Sequence, residues 1–98
     1  MTITKNQNGS ALEVILEGRL DTASSPELEK ALEGILSGID DLTFDFKKVD
    51  YVSSSGLRVL MMAVRNMKLG GKARVIHANE VVKEVFEVTG FSEVLPIE

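Results

Sequence analysis

The chain contains no cysteine, which removes disulfides, thiolate metal sites and thiol nucleophiles from consideration. Tryptophan is missing too, and four phenylalanines and one tyrosine are the only aromatics. The core must therefore be mostly Leu, Val, Ile and Met. No apolar run approaches the roughly 18 residues that cross a bilayer, and Met1 to Asn8 hold no apolar stretch of the kind a secretory signal needs. The expectation is a cytoplasmic protein with no direct membrane insertion. Positive charge is in deficit, 11 Lys and Arg against 15 Asp and Glu, for a net charge of -4. That balance argues against nucleic acid as a partner, which calls for a basic face. Arg58, Arg65, Lys68, Lys72 and Arg74 cluster in sequence, but core residues interrupt them and they read as a solvated face.

The motifs of common chemistries are absent as well. There is neither a P-loop nor a Gly-x-Gly-x-x-Gly fingerprint. Asp40, Asp41, Asp45 and Asp50 lack EF-hand spacing and read as turn formers, so no metal and no cofactor is expected. A serine hydrolase would place Gly-x-Ser-x-Gly at a strand-to-helix elbow. Ser54 has Gly56 two positions after it but Val52 two before, and His77 is the only histidine available as a base. The hydrolase reading ranks last, and the chain does not look like an enzyme.

What is present centres on Leu42 to Lys68. Leu42, Phe44 and Phe46 alternate with Thr43, Asp45 and Lys47, the period of a strand with one buried face. From Leu57 the period changes to that of a helix: Leu57, Leu60, Met61, Val64 and Met67 make one stripe. Between them stand Ser53, Ser54, Ser55 and Gly56. A helix start leaves backbone N–H groups unpaired and carries partial positive charge. A serine there can cap the helix, or carry a phosphate that the same N–H groups tolerate.

Around this junction the ninety-eight residues read as one domain. Thr2 to Gln7 and Ala11 to Glu17 flank Asn8-Gly9, predicting a hairpin with a type I′ turn and an edge position for the first arm. Ser25 with Pro26, or Ser24 with Glu27 one residue earlier, starts a helix whose apolar face is Leu28, Ala31, Leu32, Ile35 and Leu36, ended by Gly38. After Gly70-Gly71, Ala73 to Ala78 predicts a strand. Asn79 caps a third helix with Val82, Val85 and Phe86 inward, closed by Gly90 and Phe91. Val94 to Ile97 is a short terminal strand or extended tail, with Pro96 favouring an edge. The predicted class is α/β, a single small domain of order β-β-α-β-α-β-α-β. Its sheet is mainly parallel or mixed, and because the strands alternate, the helices lie mostly on one face.

Four pieces, Gly18-x-Leu20-Asp21, Asp45-Phe46-x-x-Val49-x-x-Val52-Ser53-Ser54-Ser55-Gly56-Leu57, Gly70-Gly71 and Val88-Thr89-Gly90-Phe91, occur in order across nearly the whole chain. Together they resemble the STAS domain, and more narrowly the bacterial anti-sigma factor antagonists. The resemblance implies a STAS domain over residues 1–98 whose unphosphorylated form binds a cognate anti-sigma factor and releases the sigma factor. That partner would act as an ATP-dependent serine kinase on the serine two positions before the glycine, Ser54, with a serine phosphatase resetting the switch. The family usually has Asp before the acceptor where this chain has Ser53, and the acceptor stays open among Ser53, Ser54 and Ser55. Asp21 carries over as part of the same surface. The expected partner-binding set is Asp21, Ser53, Ser54, Ser55, Gly56, Arg58, Val59 and Met62, with Arg58, Val59, Met62 and Arg65 on the outer side of the helix. The free protein is expected to be a monomer. An alternative within the family is a stand-alone STAS subunit of a membrane lipid ABC transport complex, its helix face docked on an ATPase.

Overall fold

The computed structural model describes residues 1–98. The elements are β1 (Thr2–Asn8), β2 (Ala11–Leu20), α1 (Ser25–Leu32), β3 (Asp41–Val52), α2 (Ser54–Asn66), β4 (Lys72–Ile76) and α3 (Glu80–Val88). Short 3-10 turns at Leu36–Gly38 and Phe91–Glu93 complete them. The four strands lie in the order β1-β2-β3-β4, with β1 antiparallel to β2 and both β2–β3 and β3–β4 parallel. This is the predicted mixed α/β architecture. One core of 22 buried residues draws on the strands and all three helices, so the helices share one face of the sheet. Leu12, Val14 and Leu16 of β2, with Leu42, Phe44 and Phe46 of β3, supply the sheet side. Phe46, Phe86 and Phe91 continue it edge to face, with ring centroids 6.4 and 5.9 Å apart. The opposite face carries Glu13, Thr43, Asp45 and Arg74.

Several local expectations are corrected. The hairpin loop is Gly9-Ser10 rather than Asn8-Gly9, since Asn8 pairs with Ala11. Only Gly9 has positive φ (63°), the requirement of a type II′ turn and not of I′. α1 stops at Leu32 because Gly34, not Gly38, takes the left-handed conformation, with φ 78°. Leu36 is then buried from a separate 3-10 turn. At the start of α1, Ser24 takes the N-cap position with no side-chain cap bond, and Pro26 falls in the first turn. The C-terminal segment is the tail and not a regular strand. Ile97 makes one parallel bridge to Val75, where the Val75 N–H donates to the Pro96 carbonyl and the Glu98 N–H to the Val75 carbonyl, both at 2.8 Å. The tail thereby covers the outer edge of β4.

Candidate docking and modification site

β2 and β3 run parallel and pair Leu20 with Val52, so their C-terminal ends emerge side by side. Each leads at once into a helix, and the two strand-to-helix turns form one continuous surface. The Ser53 N–H donates to the Leu20 carbonyl at 2.8 Å and ties the second turn to the first. Gly56 is the close-approach point: a Cβ there would lie 2.7 Å from Leu20 Cγ and 2.8 Å from the Leu20 carbonyl oxygen. Across the gap, the Thr22 and Ser55 hydroxyl oxygens are 3.3 Å apart.

Asp21 organises the first turn. One carboxylate oxygen accepts from the Ala23 N–H at 3.0 Å and the Ser24 N–H at 3.1 Å. The Ser24 hydroxyl turns away from α1 to donate to the Arg19 carbonyl, and it accepts from the Asp21 N–H at 2.9 Å. This explains why Ser24 does not cap the helix. The Ser24 N–H, more than any other group, holds the Asp21 carboxyl below its ordinary range against an opposing desolvation, with help from the Ser24 hydroxyl, the Ala23 N–H and the Arg19 charge. Arg19 reaches within 3.6 Å of Asp21 and lies over the Tyr51 ring, 4.7 Å from its centroid.

The three serines divide their roles. Ser53 is the N-cap of α2, its hydroxyl accepting from the Gly56 N–H at 3.3 Å. Ser55 is half-buried and meets Thr22. Ser54, the first helical residue, is exposed, and its hydroxyl takes no partner within the chain. Arg58 and Arg65 are exposed on the same side of α2, and Met62 is partly buried. Val59 is not on the outer side: it is only 6% exposed, at the floor of a groove of about 400 Å3 between α1 and α2 whose walls include Pro26, Glu29 and Arg58. α1 packs against that flank of α2 and takes Val59 into the core. Gly56 is also buried, so both support the surface from beneath. Thr22, Pro26, Glu29 and the Arg19–Tyr51 pair belong to the surface although no motif marks them. Arg19 and Thr22 flank Asp21 in sequence, whereas Tyr51 joins through its register with Arg19, and Pro26 and Glu29 join through α1.

His77 does not approach the serines through hydrogen bonding. Its Nδ1 lies 3.0 Å from the Asp45 carboxylate. Burial raises the Asp45 pKa, but the His77 contact, the Lys47 N–H and the neighbouring charges outweigh it, so the net direction is down.

Two parallel strands delivering paired turns, with helices on one face and a serine heading the second helix, define a small mixed-sheet α/β domain. The STAS domain family model matches residues 2–98, and the chain belongs to that family. Among its relatives is the anti-sigma-B factor antagonist of Bacillus subtilis (strain 168), 26% identical over 98 residues, covering 99% of this chain and 90% of that protein. The crystal structure of an anti-sigma factor antagonist from Mycobacterium paratuberculosis superposes with TM-score 0.87 at 20% identity, covering 98% of this chain and 83% of that one. The Bacillus cell fate determinant SpoIIAA in its phosphorylated form superposes with TM-score 0.76 at 13% identity, over 99% and 91% of the two chains. These superpositions establish a shared fold. No helix is long and apolar enough to cross a membrane.

Proposed function

We propose that this protein is an anti-sigma factor antagonist switched by phosphorylation of Ser54. Unmodified, the Asp21 turn, the serine turn and the Arg58 side of α2 dock on a cognate anti-sigma factor in the cytoplasm and so release its sigma factor. The anti-sigma factor also acts as a serine kinase: the Ser54 hydroxyl oxygen attacks the γ-phosphorus of ATP, ADP leaves, and the hydroxyl proton passes to a base on the kinase. A phosphatase hydrolyses the ester and restores the hydroxyl.

The observation that carries this reading is the state of Ser54, exposed and free of intramolecular bonds between two serines that are engaged. The capping duty falls to Ser53, so esterifying Ser54 leaves the helix start intact. Phosphate adds about −1.5 to −2 charge where Asp21 already supplies one. Burying it in an interface without a partner costs several kcal/mol, on the scale of the roughly 5.5 kcal/mol that moves a binding equilibrium from 1:99 to 99:1. Names among the relatives and the existence of a phosphorylated structure of this fold support the same reading.

The test begins with recovery of the partner by pull-down from native lysate. Incubation with that partner and ATP should add one phosphate, mapped to Ser54 by mass spectrometry. Ser54→Ala should bind constitutively and Ser54→Asp weakly. Equal affinity of the two variants for the partner would refute the switch.

A further inference from the structure

α3 buries Val82 and Phe86 against the sheet, yet Val81 and Val88 stand 55% and 79% exposed. At about 100° per residue, Val81, Val85 and Val88 fall within about 60° of one another and make an apolar stripe on the solvent flank. A shallow depression of about 300 Å3 runs along it, lined by these valines with Glu84 and Thr89. Valine is a middling helix former, and Val81 and Val88, exposed, contribute little to the core, whereas Val85 is half-buried against it and forms the inner border of the stripe. On the side of the stripe away from the core, Glu80, Glu84 and Glu87 fall within a similar arc of about 60°. Glu80 has Lys83 at 3.7 Å, while Glu84 and Glu87 form no ion pair. α3 packs on β3, as α2 also does, while α1 and α2 pack on each other; the depression along the valines shares no lining residue with the groove beside the serine turn.

We propose that this flank of α3 is a second docking surface, for a protein segment that presents an apolar stripe edged with Lys or Arg. The valines supply the non-directional contact and the glutamate row supplies the sign. The same row argues against other occupants. A two-fold antiparallel pairing of α3 with a second copy sets each acidic row against its equivalent, and an anionic lipid surface is repelled by it. Separation from Ser54 makes this docking independent of the phosphate, so the domain can hold one partner while it exchanges another. The proposal stands whether or not Ser54 is phosphorylated.

The test titrates the full-length 15N-labelled protein with a synthetic amphipathic helical peptide of Leu and Lys, and with the same peptide carrying Glu for every Lys. The Leu/Lys peptide should shift the amides of residues 80–89, more weakly as salt rises, and the Leu/Glu peptide should shift none. The exposed-site double variant Val81→Ser with Val88→Ser, and separately Glu84→Lys with Glu87→Lys, should each weaken binding about tenfold or more, about 1.4 kcal/mol per tenfold. Unchanged spectra outside α3 certify the fold of each variant. Shifts centred on α2 or elsewhere, no binding, or equal binding by wild type and variants would overturn the proposal. So would self-association by sedimentation that the valine variant abolishes.

Discussion

Replacing Gly56 by alanine tests the packing that holds the two turns together. In an ordinary helix interior the exchange favours alanine by about 1 kcal/mol, because glycine loses more backbone entropy on folding. Gly56 is helical and has no positive φ, so local propensity alone predicts a gain. The tertiary contact predicts the opposite. The added Cβ would meet Leu20 Cγ at 2.7 Å, the Leu20 carbonyl oxygen at 2.8 Å and Leu20 Cδ2 at 3.1 Å. A side chain can rotate away, but the carbonyl is backbone of β2 and receives the Ser53 N–H. α2 must therefore back off from β2, at about 1–3 kcal/mol for overpacking plus about 1 kcal/mol for a strained hydrogen bond. Set against the propensity gain, the net loss should be about 1–3 kcal/mol. Urea unfolding at 25 °C reads it as a lower midpoint at unchanged slope. Gly38→Ala serves as the control: a Cβ added there would meet nothing within 4 Å, and its φ is not positive. It should hold stability level or raise it by about 0.4–1 kcal/mol. A Gly56→Ala protein as stable as wild type would refute the close approach, and with it the fixed relation of Ser54 to the Asp21 turn.

Val59→Ala should cost about 1–2 kcal/mol of folding stability, from two buried methyl groups and the space they leave. Arg58→Ala should change stability by less than about 0.5 kcal/mol while weakening capture of the proposed anti-sigma partner, a contrast read by parallel unfolding and binding assays. Phe86→Ala should lose about 3–5 kcal/mol by calorimetry or denaturant, since it removes the ring between Phe46 and Phe91. The depressed pKa of Asp21 sets a pH dependence. Below the ordinary value of 3.8 the unfolded carboxyl has taken up its proton while the folded one still resists, so stability rises with pH across that window. Its contribution is full above the ordinary value and is lost as pH falls through the depressed folded value. Asp21→Asn should flatten that part of the stability profile relative to wild type. Asp45 titrates in the same direction in both proteins, so the difference between the profiles isolates Asp21.

The contrast between Ser54 and Val59 shows how far residue pattern alone carries. The strand-to-helix switch at Ser53 was legible because the period changes there from two to 3.6 and a capping residue stands at the break. Exposure of the first helical residue follows from the same geometry, and Ser54 is exposed. The inward face of α2 was legible only in part. Reading the stripe from its largest apolar residues, Leu57, Leu60, Met61, Val64 and Met67, centres it about 60° away from the observed buried arc. That arc is Gly56, Leu57, Val59, Leu60 and Ala63. Glycine and alanine carry little weight in a hydrophobicity pattern, yet they are where two elements approach closest. Gly56 admits Leu20, and the neighbouring flank that includes Val59 is closed by α1, an element whose position depends on where β2 ends. The end of α1 and the type of the hairpin turn were not legible either. In each case two glycines or two loop positions could serve, and the left-handed residue is Gly34 rather than Gly38, with Gly9 at the first loop position rather than the second. A single sequence therefore locates an exposed residue at a helix start more reliably than it locates which residues one turn further on stay at the surface. The first depends on a local break in period, the second on which neighbouring helix covers which flank.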